Sequence, residues 1–516
     1  MSRYNAGEWL LDRRLAAGDG ERAAYVVDGT TTTYAGLAGE VYRAQHALAA
    51  LDVRRGERVA LVVDDELAWP AWFLGALRAG VIPVPLSTML TGDDLAAIVG
   101  DALAGAVVLS AAYAGHVGAM AAADGELRHA VVLGDDVAGG DAAVPTHAWS
   151  SFHVRTEVPV AATSEDSPAF WLYSSGTTGV PKGVMHRHGS LQATAETYAR
   201  SVLGIGPDDR SLSVAKLFFA YGLGNSLTFP LSVGASTVLN PRRPTPPEVA
   251  ELVRTTAPTL FFASPGFVAG LLDADLPDET FASVRATVTA GESLPADLQR
   301  RFAARFGHPV LDGIGSTEAL HIFISNHAGA ERPGTSGTPV EGYAARLVGE
   351  AGDVVGAADT PGFLQVTGPS LATGYWSRDA ATRAAFHGPW LATGDVYTRS
   401  ADGYWTFLGR NSDMIKAGGI WVSPAEVEAV LVEHESVLEA AVVGARDGSG
   451  LEQTVAFVVP RAGAVIDADD IDAYCRARMA AFKRPRRVVV VEGLPKTATG
   501  KIRRFALRDA LAAAQE

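Results

Sequence analysis

The sequence predicts an α/β protein with a large N-terminal domain of mainly parallel sheets flanked by helices and a small α+β domain at the C-terminus. Three observations predict it. At 516 residues the chain exceeds one ordinary domain. Over roughly the first four hundred residues, short β-branched runs alternate with longer helical patterns, the rhythm of βαβ units. After about Arg410 that rhythm gives way to a compact mixture of short helices and strands.

Residues 58–63, 81–85, 106–110, 170–173, 211–215, 259–263 and 284–290 read as buried strands. Amphipathic or Ala-rich segments at 67–78, 190–202 and 295–306 read as the helices that cover them. Beyond a boundary at 409–413, residues 424–432 read as a helix, 440–443 and 454–459 as strands, and 467–479 as a helix. A strand at 487–491 and a last helix at 504–513 complete a unit of about a hundred residues, a usual size for a small domain. The division is therefore 1–411 and 412–516. Parallel sheets of this kind bind ligands at the loops beyond their strands' carboxyl ends.

A hydrophobic fraction of 48% and a charged fraction of 20% describe a globular protein with a large core. No stretch reaches the ~18 uninterrupted apolar residues of a membrane helix. The start, Met1-Ser2-Arg3-Tyr4-Asn5, lacks an apolar leader core, so the cytoplasm is the expected compartment and no membrane partner is expected. The single cysteine, Cys475, excludes an internal disulfide framework and reads as a packed thiol. A net charge of −15 argues against nucleic acid as a partner. Positive charge nevertheless gathers at Lys483-Arg484-Pro485-Arg486-Arg487 and Lys501-Ile502-Arg503-Arg504. Singly these are solvated side chains; as a cluster they suit a phosphate-bearing partner.

The strongest chemical signal is Tyr173-Ser174-Ser175-Gly176-Thr177-Thr178-Gly179-Val180-Pro181-Lys182-Gly183, directly after a predicted strand. Glycines allow close backbone approach, hydroxyls and amides can ring an anion, and Lys182 adds a mobile cation. It is not a Walker A loop, which needs Gly before the lysine and Ser or Thr after it. Here Pro181 and Gly183 flank Lys182.

That loop resembles the phosphate loop of the adenylate-forming superfamily of acyl-CoA synthetases, peptide-synthetase adenylation domains and luciferases. The resemblance spans essentially the whole chain in the expected order. Ala290-Gly291-Glu292-Ser293 resembles the family's adenine-binding turn, and Asp312-Gly313-Ile314-Gly315-Ser316-Thr317-Glu318 the segment that stacks on adenine and positions Mg²⁺. Thr393-Gly394-Asp395 resembles the ribose motif, Leu408-Gly409-Arg410 opens the hinge, and Pro495–Lys501 resembles the loop bearing the catalytic lysine. The resemblance implies ATP and Mg²⁺ as cofactors, with Thr178 and Glu318 at the metal. Each role suits the chemistry. A carboxylate such as Glu318 can hold Mg²⁺ against phosphates. Asp395 can accept from both ribose hydroxyls, although Thr-Gly-Asp alone would mark only a turn. Lys501 can stabilise charge on the carboxylate and α-phosphate in the transition state.

The family is thought to rotate its small domain, a mobile lid, between two half-reactions. Adenylation would use the face carrying Lys501; thioester formation would use the face carrying Lys416-Ala417-Gly418-Gly419, where the glycines let a pantetheine arm pass. By resemblance to benzoate-CoA ligases, Lys416 serves the second step. The chain departs from the family at the pivot, where Ser412 replaces the usual Asp or Lys and Asp413 follows.

Ala215-Lys216-Leu217-Phe218-Phe219-Ala220-Tyr221-Gly222-Leu223-Gly224-Asn225 and His321-Ile322-Phe323 resemble the substrate-pocket stretches of benzoate-CoA ligases, as does Tyr4-Asn5-Ala6. Amino-acid-activating domains usually place an Asp in the first stretch; Ala220 and Tyr221 stand there instead. A pocket walled by Ala220, Tyr221, Gly315, His321 and Ile322 is small, flat and apolar, and suits one aromatic ring. Such a slot discriminates against small substituents by only ~1–3 kcal/mol, so benzoate with tolerance for fluoro-, amino- or hydroxybenzoates is the expected acid. Tyr221 or His321 could instead be tuned to a ring hydroxyl. The expected acceptor is coenzyme A; the rival is the phosphopantetheine of an acyl carrier protein acting in trans. A homodimer is compatible with the resemblance.

Overall fold

The structure, a computed structural model, describes residues 3–123, 125–134, 144–175, 181–417, 420–446, 452–496 and 502–513. Its largest sheet runs in the order Thr338–Pro339, Ile322–Ser325, Val310–Gly315, Ala286–Thr289, Leu260–Ala263, Arg210–Ser213, Ser236–Leu239, Ala23–Val27 and Thr30–Thr33. The six strands from Val310–Gly315 to Ala23–Val27 pair in parallel, and antiparallel strands close both edges. A second sheet of five strands is parallel throughout: Ile82–Pro85, Arg58–Val62, Ala104–Ser110, His129–Leu133 and Thr146–Ala148. Ala104–Ser110 is buried along its whole length, as befits a continuous apolar run covered on both faces.

Helix Ala68–Ala79 is apolar all round because it lies inside the molecule, against helix Tyr34–Ala50. Trp69, Trp72 and Phe73 are fully buried there, and truncating one such ring costs about 3–5 kcal/mol. Arg78, also fully buried, donates to Gln45 Oε1 at 2.8 Å and pairs with Asp12, which compensates its charge.

Every run read as a buried strand forms one, with ends shifted by a residue or two. Two departures bear on the site. The run at 170–173 becomes Pro168–Ser175, and its neighbour is not a covering helix but the antiparallel strand Pro181–Arg187, joined on its far side by Gly374–Tyr375. Residues 344–410 form an antiparallel sheet of Ala344–Val348, Gly362–Thr367, Trp390–Arg399, Phe386–His387 and Trp405–Arg410, so the parallel rhythm ends earlier than expected. The helix expected at 190–202 is His188–Thr194, continued by a wider turn at Ala195–Ala199.

The C-terminal unit has its own core, built from Ile415, Val422, Val427, Leu431, Val442 and Val458. Helices Pro424–Val432, Ala468–Arg478 and Arg504–Ala513 pack on strands Val437–Arg446, Glu452–Pro460 and Arg487–Val490. Cys475 is a buried thiol of that core. Two cations of the basic cluster are paired within the unit: Lys483 with Glu426 at 2.6 Å and Arg504 with Glu428 at 2.8 Å. Among the described residues no helix is long and apolar enough to cross a membrane.

Candidate functional site

Strands Pro168–Ser175 and Pro181–Arg187 pair on either side of the glycine–hydroxyl segment, with Ser174 opposite Lys182 and Ser175 opposite Pro181. Gly176, Thr177, Thr178 and Gly179 lie outside the described residues. Lys182 projects from strand Pro181–Arg187. Its Nζ stands 5.3 Å from the centroid of the Tyr375 ring. Tyr375 in turn donates from its hydroxyl to Glu318 Oε1 at 2.8 Å. Burial, reinforced by the charge of Glu318, raises the pKa of that phenol, so it stays a donor. Tyr375 thus ties the cation of the hairpin to the candidate metal carboxylate. Sequence reasoning missed it; the signal was Gly374-Tyr375-Trp376, aromatic residues on a short edge strand that completes the hairpin's sheet. Trp376 stacks on Trp171 at 4.6 Å and fixes that strand further.

The next segment is locked to the hairpin from below. His186 lies on strand Pro181–Arg187 and donates from Nε2 to the Thr317 carbonyl at 2.8 Å. Burial lowers its pKa to about 4, so the ring is neutral near pH 7. Asp312 is 6% exposed, and its Oδ1 accepts from Thr289 at 2.9 Å across the adjoining strand. Gly313 and Ile314 continue strand Val310–Gly315, which turns antiparallel to Ile322–Ser325. At Gly315 a Cβ would stand 2.5 Å from the His321 carbonyl oxygen, a clash that only glycine avoids. Glu318 is partly buried, and its carboxylate is a hard oxygen donor of the kind Mg²⁺ takes. Among the described residues no group of three His, Cys, Asp or Glu side chains could cage a metal, so Mg²⁺ would share Glu318 with substrate phosphates, its usual habit. Thr178, the other expected ligand, lies outside the described residues.

Asp395 lies on strand Trp390–Arg399 directly opposite Arg410, whose Nε is 3.1 Å from Asp395 Oδ1. The carboxylate is 5% exposed, and Arg410 also donates to the Thr393 carbonyl at 2.9 Å. Buried Tyr397 feels the charges of both Asp395 and Asp312, so the two expected nucleotide motifs face a common interior. Glu292, in the turn containing Gly291 and Ser293, lies within electrostatic reach of Arg504, the first residue of the last helix. Lys501 lies outside the described residues, but its loop is rooted by the antiparallel bridge between Lys496 and Ile502. Lys416 sits opposite Trp421 in the hairpin Ile415–Ala417/Ile420–Val422. Gly418 and Gly419 lie outside the described residues.

The expected acid-pocket residues come together. Ala220 and Tyr221 open helix Ala220–Leu223. The Tyr221 ring lies 5.4 Å from the His321 ring, which also meets Tyr198 at 4.9 Å and Phe229 at 4.5 Å. His321 and Ile322 are 3% and 1% exposed. Phe218 and Phe219 contact each other edge to face at 4.6 Å just before that helix. Asn225, fully buried, reaches His321 Nε2 with Oδ1 at 3.0 Å, a partner the sequence reading did not single out.

The pocket stretch is anchored by Asp65, whose Oδ1 accepts from the Leu217 amide at 3.1 Å. Lys216 beside it pairs with the Asn240 carbonyl and with the Arg242 carbonyl at 2.7 Å. Burial raises the Asp65 pKa to about 6, only partly offset by the charge of Lys216. A raised acid holds its proton more tightly in the folded state. Its stabilising contribution is full below the unfolded pKa near 4 and is lost as pH rises through about 6. The variant Asp65→Asn keeps an acceptor for Leu217 without the buried charge. It should gain about 2–3 kcal/mol over wild type at pH 8 and nothing at pH 4, measured by denaturant melts.

The profile of the AMP-binding enzyme family matches residues 12–376, and that of the AMP-binding enzyme C-terminal domain matches 426–501. The chain is 45% identical over 514 residues to a benzoate–CoA ligase of Thauera aromatica, covering 98% of this chain and 96% of that protein. A crystallised benzoate CoA ligase from Burkholderia xenovorans LB400 superposes with a TM-score of 0.89 at 42% identity, over 98% of this chain and 100% of that one. A solved anthranilate CoA ligase in complex with anthranoyl-AMP gives a TM-score of 0.94 at 37% identity, over 99% and 98%.

Proposed function

We propose, since this chain belongs to the AMP-binding enzyme family, that it activates an aromatic carboxylic acid, benzoate or a substituted benzoate, with ATP and passes the acyl group to coenzyme A. One observation carries the reading. The segment 315–322 sets His321 beside the Tyr221 ring, with Gly315 against the His321 carbonyl, and sets Glu318 beside the tyrosine that lies under the cation of Lys182. A carboxylate held at the first end would meet phosphates held at the second. The relatives that act on benzoate and anthranilate support the choice of acid.

In the first step a carboxylate oxygen attacks the α-phosphorus of ATP, the bond to the β-phosphate oxygen breaks, and pyrophosphate leaves with its electron pair. Ser174, Ser175, Gly176, Thr177, Thr178, Gly179 and Lys182 would grip the phosphates; Gly291, Glu292, Ser293, Asp312, Gly313, Ile314 and Thr317 would frame adenine; Asp395 and Arg410 would hold the ribose. Mg²⁺, when bound by Glu318 and Thr178, screens the repulsion between carboxylate and phosphates. Lys501 would neutralise charge at the reacting centre. In the second step the thiol sulfur bonds to the acyl carbon, the acyl–phosphate bond breaks, AMP leaves and the thiol proton is released. Residues 412–516 would turn as a lid between the steps and bring Lys416 to the thiol. Such an enzyme belongs in the cytoplasm, where ATP and coenzyme A are at hand.

A carrier protein's phosphopantetheine is the second acceptor to test, because Arg486 and Arg487 are exposed and suit an acidic partner as well as a CoA phosphate. Pyrophosphate release should depend on benzoate or a substituted benzoate, and thioester should form with CoA. Release with no aryl acid in a broad panel would end the reading; thioester on a carrier protein alone would move the acceptor. The variant Tyr375→Phe keeps the ring over Lys182 but loses the bond to Glu318. It should raise the Mg²⁺ concentration for half-maximal rate about 3–10-fold, read from Mg²⁺ titrations at saturating ATP.

A further inference from the structure

The polar groups of the acid pocket form one hydrogen-bonded chain, and its two ends dictate its direction. Tyr221 Oη donates to the Val288 carbonyl at 3.0 Å, and Ser213 Oγ donates to the Ala215 carbonyl at 3.0 Å. Carbonyls only accept, so each hydroxyl has given its single proton and can only accept in turn. Both accept from Asn225: Nδ2 lies 3.3 Å from Ser213 Oγ, and the same side chain bonds the Tyr221 hydroxyl. The amide nitrogen of Asn225 therefore faces Tyr221 and Ser213, and its Oδ1 faces His321 Nε2 at 3.0 Å. Nε2 must carry the ring proton.

Nδ1 is left with a lone pair. It is buried and no partner reaches it among the described residues, in a histidine only 3% exposed. A Cβ at Gly224 would stand 2.9 Å from His321 Nε2, so the Nε2 edge rests on that helix and Nδ1 looks away from it. Burial lowers the imidazole pKa to about 3, so the lone pair survives at any working pH. A buried acceptor without a partner is costly, and a ligand that supplies a donor removes that cost.

Resting on the reading of the site as an aryl-acid pocket, we infer that His321 Nδ1 accepts a hydrogen bond from the acid's ring, so that hydroxy- or aminobenzoates are favoured over fluoro or methyl isosteres. Asn225 and Ser213 are positioning residues that hold the tautomer. Tyr221, its proton spent on Val288, is not the donor-sensing group.

The test uses the full chain and kcat/KM for pyrophosphate release with 2-, 3- and 4-substituted hydroxy-, amino-, fluoro- and methylbenzoates. At one ring position the hydroxy or amino acid should exceed both isosteres by about tenfold. In protein labelled with ¹⁵N-histidine, with His321 identified by its absence in His321→Gln, Nε2 should be protonated and Nδ1 not. The Nδ1 resonance should move with the favoured acid and stay with its fluoro isostere. Equal use of donors and isosteres at every position, or a protonated Nδ1, while fluorobenzoates are still activated, would overturn the inference and leave the ligase reading intact. Failure of every aryl acid would instead bring down the ligase reading itself.

Discussion

Replacing Lys501 by alanine is expected to slow adenylation about 10²–10³-fold, while thioester formation from a preformed aryl adenylate proceeds at near the normal rate. The first half-reaction joins an anionic carboxylate to an anionic phosphate, so a cation aimed at the developing charge contributes most in its transition state. The second releases AMP and has no such like-charge approach. The loop that carries Lys501 has a firm root: Lys496 bridges Ile502, and the Arg503 amide donates to the Pro495 carbonyl at 2.8 Å. Arg504 is held by both oxygens of Glu428 at 2.8 Å and feels Glu292 across the domain junction. Loss of Lys501 should therefore remove charge without unravelling the loop. The complementary variant Lys416→Ala should spare adenylation and slow thiolation. Adenylation at the normal rate in Lys501→Ala, or equal losses in both steps for Lys416→Ala, would refute this division of labour.

The variant Asp395→Ala is expected to lower kcat/KM for ATP about 10²-fold, with little change in KM for the acid. Two hydrogen bonds from ribose hydroxyls to one carboxylate, each at the charged end of the scale, add up to a few kcal/mol. The geometry supports rigidity: Asp395 is 5% exposed, faces Arg410 at 3.1 Å and receives no slack from its strand partner. Arg410 is about half exposed, so it can be solvated when its partner is lost, and the fold should tolerate the change. Competition by 2′,3′-dideoxy-ATP gives a second readout, since the variant should no longer distinguish it from ATP.

Much of the fold was legible because local chemistry and tertiary context agree. Residues 59–63 and 106–109 are apolar without alternation, which parallel strands buried on both faces require, and strands form there. The C-terminal helices at 424–432 and 504–513 match their expected ends because Ser423 caps the first and Arg504, anchored by Glu428, opens the second. Strand Pro181–Arg187 was illegible: it starts at a proline, contains Gly183, and exists only because Pro168–Ser175 and Gly374–Tyr375 pair on either side. The same non-locality hid Tyr375, which reaches Glu318 from 57 residues away. Asn225 was visible as a residue but not as a partner, since nothing local says that its amide would meet His321. The antiparallel sheet at 344–410 was read through because short alternating strands leave a weak imprint beside the stronger helical pattern before them.

The most direct test is a crystal structure of the full chain with a nonhydrolysable benzoyl-adenylate analogue. The account predicts the phosphate against Lys182, the ribose on Asp395, and the aryl group beside Tyr221 and His321. An analogue bound with its ring outside that pocket, or its ribose away from Asp395, would contradict it.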